Sequence, residues 1–230
     1  MKRSIWDLSV AAIVMALSIS AIVSPSVHAN DLANSGFETD AVSGSGPVGV
    51  ATGWNTFGNV STASAPLDPT RSGIGSLRLA GSGGFSIAGA FQTLPASEGQ
   101  TWNFEGYMLT PSPLPANATF GLLKIVWSNG FNDLPPGTIH VGQPDVPIVP
   151  GIMALPFLDA GSLPNTWIYT QAQGVAPAGT TQVSFFALFV DESAGTGYFD
   201  DLNASIVPEP CCAAMTLLGV VCLGLRRRSP

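Results

Sequence analysis

Thr101-Trp102-Asn103-Phe104-Glu105-Gly106-Tyr107-Met108-Leu109 changes chemistry at every step. Trp102, Phe104, Gly106 and Met108 fall on one side, and Asn103, Glu105, Tyr107 and Leu109 on the other, because successive side chains of an extended strand point to opposite faces. The Trp102 set is the core face of a half-buried strand, and the Asn103 set faces outward.

The same period runs on either side of this stretch. In 121–127, Leu123, Ile125 and Trp127 point inward, leaving Leu122, Lys124 and Val126 opposite. The run Val183-Ser184-Phe185-Phe186-Ala187-Leu188-Phe189-Val190 is apolar on both faces. It reads as a central strand covered on each side, or flanked by a loop, and its pattern gives no orientation. The expected strands are 75–79, 84–93, 101–109, 120–128, 167–173, 182–190 and 198–206, separated by breakers such as Pro111-Ser112-Pro113, Pro135-Pro136-Gly137 and Ala178-Gly179-Thr180. No sustained helical period appears, so the expected fold is all-β, a sandwich of two antiparallel sheets. From 128 to 164 the pattern fails. That proline-rich stretch is either a long excursion at one end of the sandwich or a pair of irregular edge strands.

Both ends of the chain read as addresses. Lys2 and Arg3 precede an apolar stretch at 8–23, and Val27-His28-Ala29 places permissive residues at the −3 and −1 positions of a cleavage site. This is the layout of a secretory signal peptide over 1–29, with an uncleaved anchor as the alternative. At the other end, Pro208-Glu209-Pro210 precedes an apolar run at 211–225, broken only by Thr216, and then Arg226-Arg227-Arg228. As a helix, about 15 residues span roughly 22 Å, short of the ~30 Å hydrocarbon core. The arginines mark the cytoplasmic flank. The segment 207–230 resembles the PEP-CTERM sorting signal of Gram-negative bacteria. The resemblance implies export, retention in the membrane through the C-terminal segment, an exosortase-type sorting enzyme as partner, and a final place at the cell surface or outside it.

The remaining 30–206 is long enough for one core and too short for two. All three cysteines, Cys211, Cys212 and Cys222, lie in the C-terminal segment, so this domain has no internal disulfide. Its strong bases are Arg71, Arg78 and Lys124, set against thirteen acids, which makes it more acidic than the whole chain at −7. Such a surface repels phosphate backbones and excludes nucleic acid as a partner.

Asp31-Leu32-Ala33-Asn34-Ser35-Gly36-Phe37-Glu38 opens the domain, and Gly195-Thr196-Gly197-Tyr198-Phe199-Asp200-Asp201-Leu202 closes it. Taken with Gly53-Trp54, Gly75-Ser76-Leu77, Thr166-Trp167 and Ala176-Pro177-Ala178-Gly179-Thr180, they resemble the jelly-roll domains of the galactose-binding-like superfamily, of the type found as carbohydrate-binding modules on bacterial xylanases and glucanases. The resemblance implies a jelly roll whose first and last strands lie close together. It also implies a structural calcium ion, whose matching positions here are Glu38 and Asp201, with Asp200 and the Gly36 carbonyl beside them. Two adjacent carboxylates need a partner, and calcium takes six to eight such oxygens. Alternatively, the acids cap the turn and accept backbone N–H bonds.

Carbohydrate binding calls for aromatic faces and polar neighbours. Trp102, Trp127 and Trp167 are assigned to the core. Outside it stand Trp54, Tyr107, Phe131 and Tyr169, with Glu105, Lys124, Asn103 and Gln171 as polar neighbours. Glu105 and Tyr107 beside Lys124 form the expected centre of a glycan site. Catalysis is not expected: His140 is the sole histidine of 30–206, and no Gly-x-Ser-x-Gly, zinc-spaced histidines or phosphate-cradling loop occurs. Two functions follow. One is a non-catalytic cell-surface or extracellular-matrix protein associated with exopolysaccharide. The other is a stand-alone carbohydrate-binding module.

Overall fold

The computed structural model describes residues 30–47, 49, 51–116, 119–135, 139–141, 152–153, 156–192 and 194–208. The proposed signal peptide, Glu209, Pro210, the apolar run, Arg226, Arg227, Arg228 and Asp145 lie outside these residues. Among the described residues no helix is long and apolar enough to cross a membrane. The strands are β1 (Asn55–Phe57), β2 (Asn59–Ser64), β3 (Gly75–Ala80), β4 (Ser86–Pro95), β5 (Thr101–Leu109), β6 (Phe120–Ser128), β7 (Ile139–Val141), β8 (Ile152–Met153), β9 (Ile168–Val175), β10 (Gln182–Asp191) and β11 (Thr196–Val207). One sheet runs β1-β4-β10-β6-β8 and the other β2-β3-β11-β5-β9-β7, antiparallel at every pairing.

The inward sets read from the sequence form the core. Trp102, Phe104 and Met108 of β5 meet Leu123, Ile125 and Trp127 of β6 across the sandwich, all buried. The undecided strand β10 turns Val183, Phe185, Ala187 and Phe189 inward, and Phe185 packs its ring against Trp102 and Phe104 at centroid distances of 5.3 and 5.1 Å. Its other face carries Phe186, stacked on Phe91 at 4.9 Å.

The stretch 128–164 supplies edge strands to both sheets: β8 pairs with β6, and β7 with β9. Leu158 exchanges two backbone bonds with Gly121. Leu122, Val126 and Lys124, which alternation places opposite the core face of β6, are nonetheless buried. Lys124 is 9% exposed, and burial pulls its amine below the ordinary range while the charge of Asp133 opposes the shift.

First and last segments do meet. Asp31 N–H donates to the Ala204 carbonyl, Leu202 N–H to Ser35, and the Asn30 side chain bridges Leu202 and Ala204. Opposite them β11 carries a bulge between Asp200 and Asn203, with Asp201 in the left-handed region at φ 50°.

Truncating Phe185 to Ala removes a ring at the centre of the aromatic cluster with no disulfide to compensate. The expected loss is about 3–5 kcal/mol of unfolding free energy in a denaturant titration.

Candidate functional site

The outward residues of β5 share the outer face of the six-stranded sheet with those of its neighbours. In register, Tyr107 lies between Asp200 of β11 and Tyr169 of β9, and Glu105 between Asn203 and Gln171. The Tyr107 and Tyr169 rings are 5.3 Å apart and inclined at 58°. Beside them Glu105 accepts hydrogen bonds from the Tyr169 hydroxyl (2.6 Å), Asn203 Nδ2 (3.0 Å) and Asn103 Nδ2 (3.0 Å). Gln171 Nε2 donates to Asn103 Oδ1 at 2.6 Å. Burial alone would lift the Glu105 carboxyl, but the bonds from Tyr169, Asn203 and Asn103 outweigh it and hold the group below its usual range. Burial and the same carboxylate push the Tyr169 phenol well up. Glu105 is thus a fixed anion around which a phenol and a chain of amides are oriented.

Arg71 completes the face. Its guanidinium carbon sits 3.4 Å from the Tyr107 ring centroid, a cation–π contact, and its Nη1 pairs with the Asp201 carboxylate. The loop that carries it is pinned by Asp200, whose Oδ2 accepts from the backbone N–H groups of Arg71 (2.7 Å) and Ser72 (3.2 Å) and whose Oδ1 accepts from Asp201 N–H (2.7 Å). Asp200 is fully buried. Burial pushes its carboxyl up to about 7; the N–H donors pull it down and the charge of Asp201 adds to the rise.

Glu105, Tyr107, Tyr169, Asn103 and Gln171 therefore come together as a patch of aromatic and polar groups. Three expected members do not, the first being Phe131, in the turn after β6 of the other sheet. Trp54 is 5% exposed; its ring packs on Phe37 at 5.4 Å and its Nε1 donates to the Asn34 carbonyl, so it belongs to the core. Lys124 belongs to β6 in the other sheet, on its outer face, away from Glu105 and Tyr107. Arg71 and Asn203 were missed. Asn203 follows the β11 bulge, which reverses the alternation set by Phe199, and Arg71 sits in a breaker-rich loop with no period to read.

The four positions matched to calcium also converge. A Cβ at Gly36 would stand 3.8–3.9 Å from atoms of Glu38, Asp200 and Asp201. Yet their oxygens are taken by protein donors: Glu38 by Ile74 and Gly75 N–H, Asp200 as above, and Asp201 by Arg71 and the Ser72 hydroxyl. Among the described residues no group of three acids, histidines or cysteines is arranged to hold a metal. As arranged, the set does not fit a calcium ion.

No protein-family model matches the sequence, and no curated protein matches it. Among solved structures, the chain is similar to the carbohydrate-binding module TmCBM61, described in complex with β-1,4-galactotriose. The TM-score is 0.50 at 14% identity, covering 78% of this chain and 99% of that one. It is also similar to an arabinose-bound GH51 α-L-arabinofuranosidase, with a TM-score of 0.54 at 13% identity, over 78% of this chain and 26% of the enzyme. At these identities the likeness shows the fold, a jelly-roll sandwich.

A raised carboxyl pKa carries a definite sign. Between the ordinary 3.8 and about 7 the folded state holds a proton that the unfolded chain has released, so the contribution of Asp200 to stability falls as pH rises through that window and is level outside it. With chelator present, the stability of the parent chain relative to Asp200→Asn should decline from pH 4 to pH 7, as read by thermal unfolding across pH.

Proposed function

We propose that this chain is an exported, non-catalytic polysaccharide-binding protein that takes its glycan on the outer face of the six-stranded sheet. The carrying observation is the patch itself: an accessible tyrosine ring beside an anion whose phenol and amide partners are already oriented. Aromatic rings stack on the apolar faces of sugar rings, and fixed polar groups bond to the hydroxyls around them. Prior orientation lowers the entropic cost of binding. The acidic domain and the Glu105 carboxylate favour a neutral glycan over an anionic one.

Arg71 covers one face of Tyr107, so stacking falls chiefly to Tyr169, which is 43% exposed. The chain's addresses support delivery outside the cytoplasm: a signal peptide over 1–29, then sorting of Pro208-Glu209-Pro210, the apolar run and the triple arginine by an exosortase-type enzyme of a Gram-negative bacterium. Calcium at Glu38, Asp200, Asp201 and the Gly36 carbonyl would have to displace the Arg71, Ser72, Ile74 and Gly75 donors from those oxygens, so we read the acid cluster as a turn lock.

Affinity electrophoresis of the full chain through gels holding neutral polysaccharides tests the binding face. Retention by one of them is expected, with Tyr169→Ala costing about 1.4 kcal/mol or more, roughly tenfold in Kd, and Tyr107→Ala costing less. Retention by none, or retention indifferent to Tyr169 and Glu105, refutes the proposal. For the acid cluster, pairing by Arg71 and backbone donors predicts a melting temperature unchanged by excess chelator. A fall on chelation, reversed by added calcium, restores the metal.

A further inference from the structure

The outer face of the five-stranded sheet carries a second ordered row of side chains. Register places Asn55 of β1 opposite Phe91 of β4, Phe91 opposite Phe186 of β10, and Phe186 opposite Lys124 of β6. All four are on one face, because Phe185, next to Phe186, points into the core. The row therefore reads amide, ring, ring, ammonium. At the spacing of neighbouring strands it is roughly 14 Å long, room for more than one sugar ring.

Its middle is a flat apolar floor. Phe91 and Phe186 stack at 4.9 Å with 21° between their planes, and Phe57 adjoins Phe91 at 6.4 Å. Gly89 allows this third ring to lie down: a Cβ there would stand 2.5 Å from Phe57 Cζ and 2.7 Å from Leu188 Cδ2. Phe57 nonetheless stays 39% exposed. Two hydroxyls border the floor, Thr93 Oγ1 and Ser184 Oγ, 2.8 Å apart.

Lys124 gives the row its sign. It is nine-tenths buried, and among the described residues no salt bridge reaches its ammonium. Asp133 acts on it through its field, without contact, and does not offset the burial. An ammonium stripped of water and left without an anion bears a desolvation cost that an arriving carboxylate would relieve. The acidity of the domain lies elsewhere. The outward positions of β1, β4, β10 and β6 hold no aspartate or glutamate, so Lys124 is the charge that an approaching ligand meets.

We propose that this face is a second binding site, for a polysaccharide that contains uronic acid, whose sugar rings stack on Phe57, Phe91 and Phe186 while a carboxylate pairs with Lys124. A fatty acid also joins an apolar body to a carboxylate, but on an open sheet its tail would stay half in water, and the bordering hydroxyls and Asn55 would go unused. The proposal rests on reading the chain as a polysaccharide binder and uses none of the residues of the first face. Occupied on both sides, one domain would join a neutral chain to an acidic one.

Isothermal titration of the full chain, with chelator present, tests this using tetramers of galacturonate, glucuronate and mannuronate and the methyl ester of each. One of the acids should bind and its ester should not. Lys124→Met, which keeps a long side chain at a buried position, should raise Kd at least about tenfold, and Phe57→Ser, at an exposed edge, about threefold. Tyr169→Ala should leave this binding unchanged. No binding of any acid, equal binding of acid and ester, indifference to Lys124→Met, or dependence on Tyr169 overturns the proposal. The two sites fail separately. A chain that binds a uronate through Lys124 but no neutral polysaccharide loses the first face alone, and one that is retained by a neutral polysaccharide through Tyr169 but binds no uronate loses the second.

Discussion

The buried carboxylate of Asp200 organises everything around the candidate face. It sits beside the β11 bulge and gathers three backbone N–H groups, two of them from the Arg71–Ser72 loop. That loop contains no strand, and further bonds hold it: the Ser72 hydroxyl to Asp201, Ile74 N–H to Glu38 and the Tyr198 hydroxyl to Asp68. Gly73 at φ 59° lets the chain pass against Glu38, where a Cβ would overlap the carboxylate. With the loop so held, the Arg71 side chain reaches both Asp201 and the Tyr107 ring. A core interaction thereby sets the shape of a surface.

Much of this architecture was legible because two-residue alternation is a strong signal. β5 and β6 fall where the pattern puts them, and the Glu105–Tyr107 face follows directly. Alternation reports which side of its own sheet a residue takes, but not which sheet its strand joins. Lys124 is misplaced for that reason: its parity is right, and its strand lies in the other layer. Trp54 was misread for a different one. It precedes a three-residue edge strand too short to show a period, and only the turn at Gly53 and the pairing with Phe37 direct it inward. Arg71 acts through a loop, and loop geometry comes from long-range hydrogen bonds that composition does not encode.

The two outer faces of the sandwich have opposite chemistry. On the six-stranded side Tyr169, Glu105, Asn103, Gln171 and Asn203 form one hydrogen-bonded polar patch. On the five-stranded side Phe57, Phe91 and Phe186 adjoin across three strands.

The scarcity of basic residues bears on resistance to proteolysis. A trypsin-like protease needs a lysine or arginine in a stretch of backbone that can be drawn into its cleft. Lys124 lies in the middle of β6, bonded to β10 on one side and β8 on the other, and Arg78 lies in β3 between β2 and β11. Arg71 is fastened by its own N–H as well as its guanidinium. The described domain offers such enzymes almost nothing to cut while it stays folded, a durability that owes nothing to cross-linking.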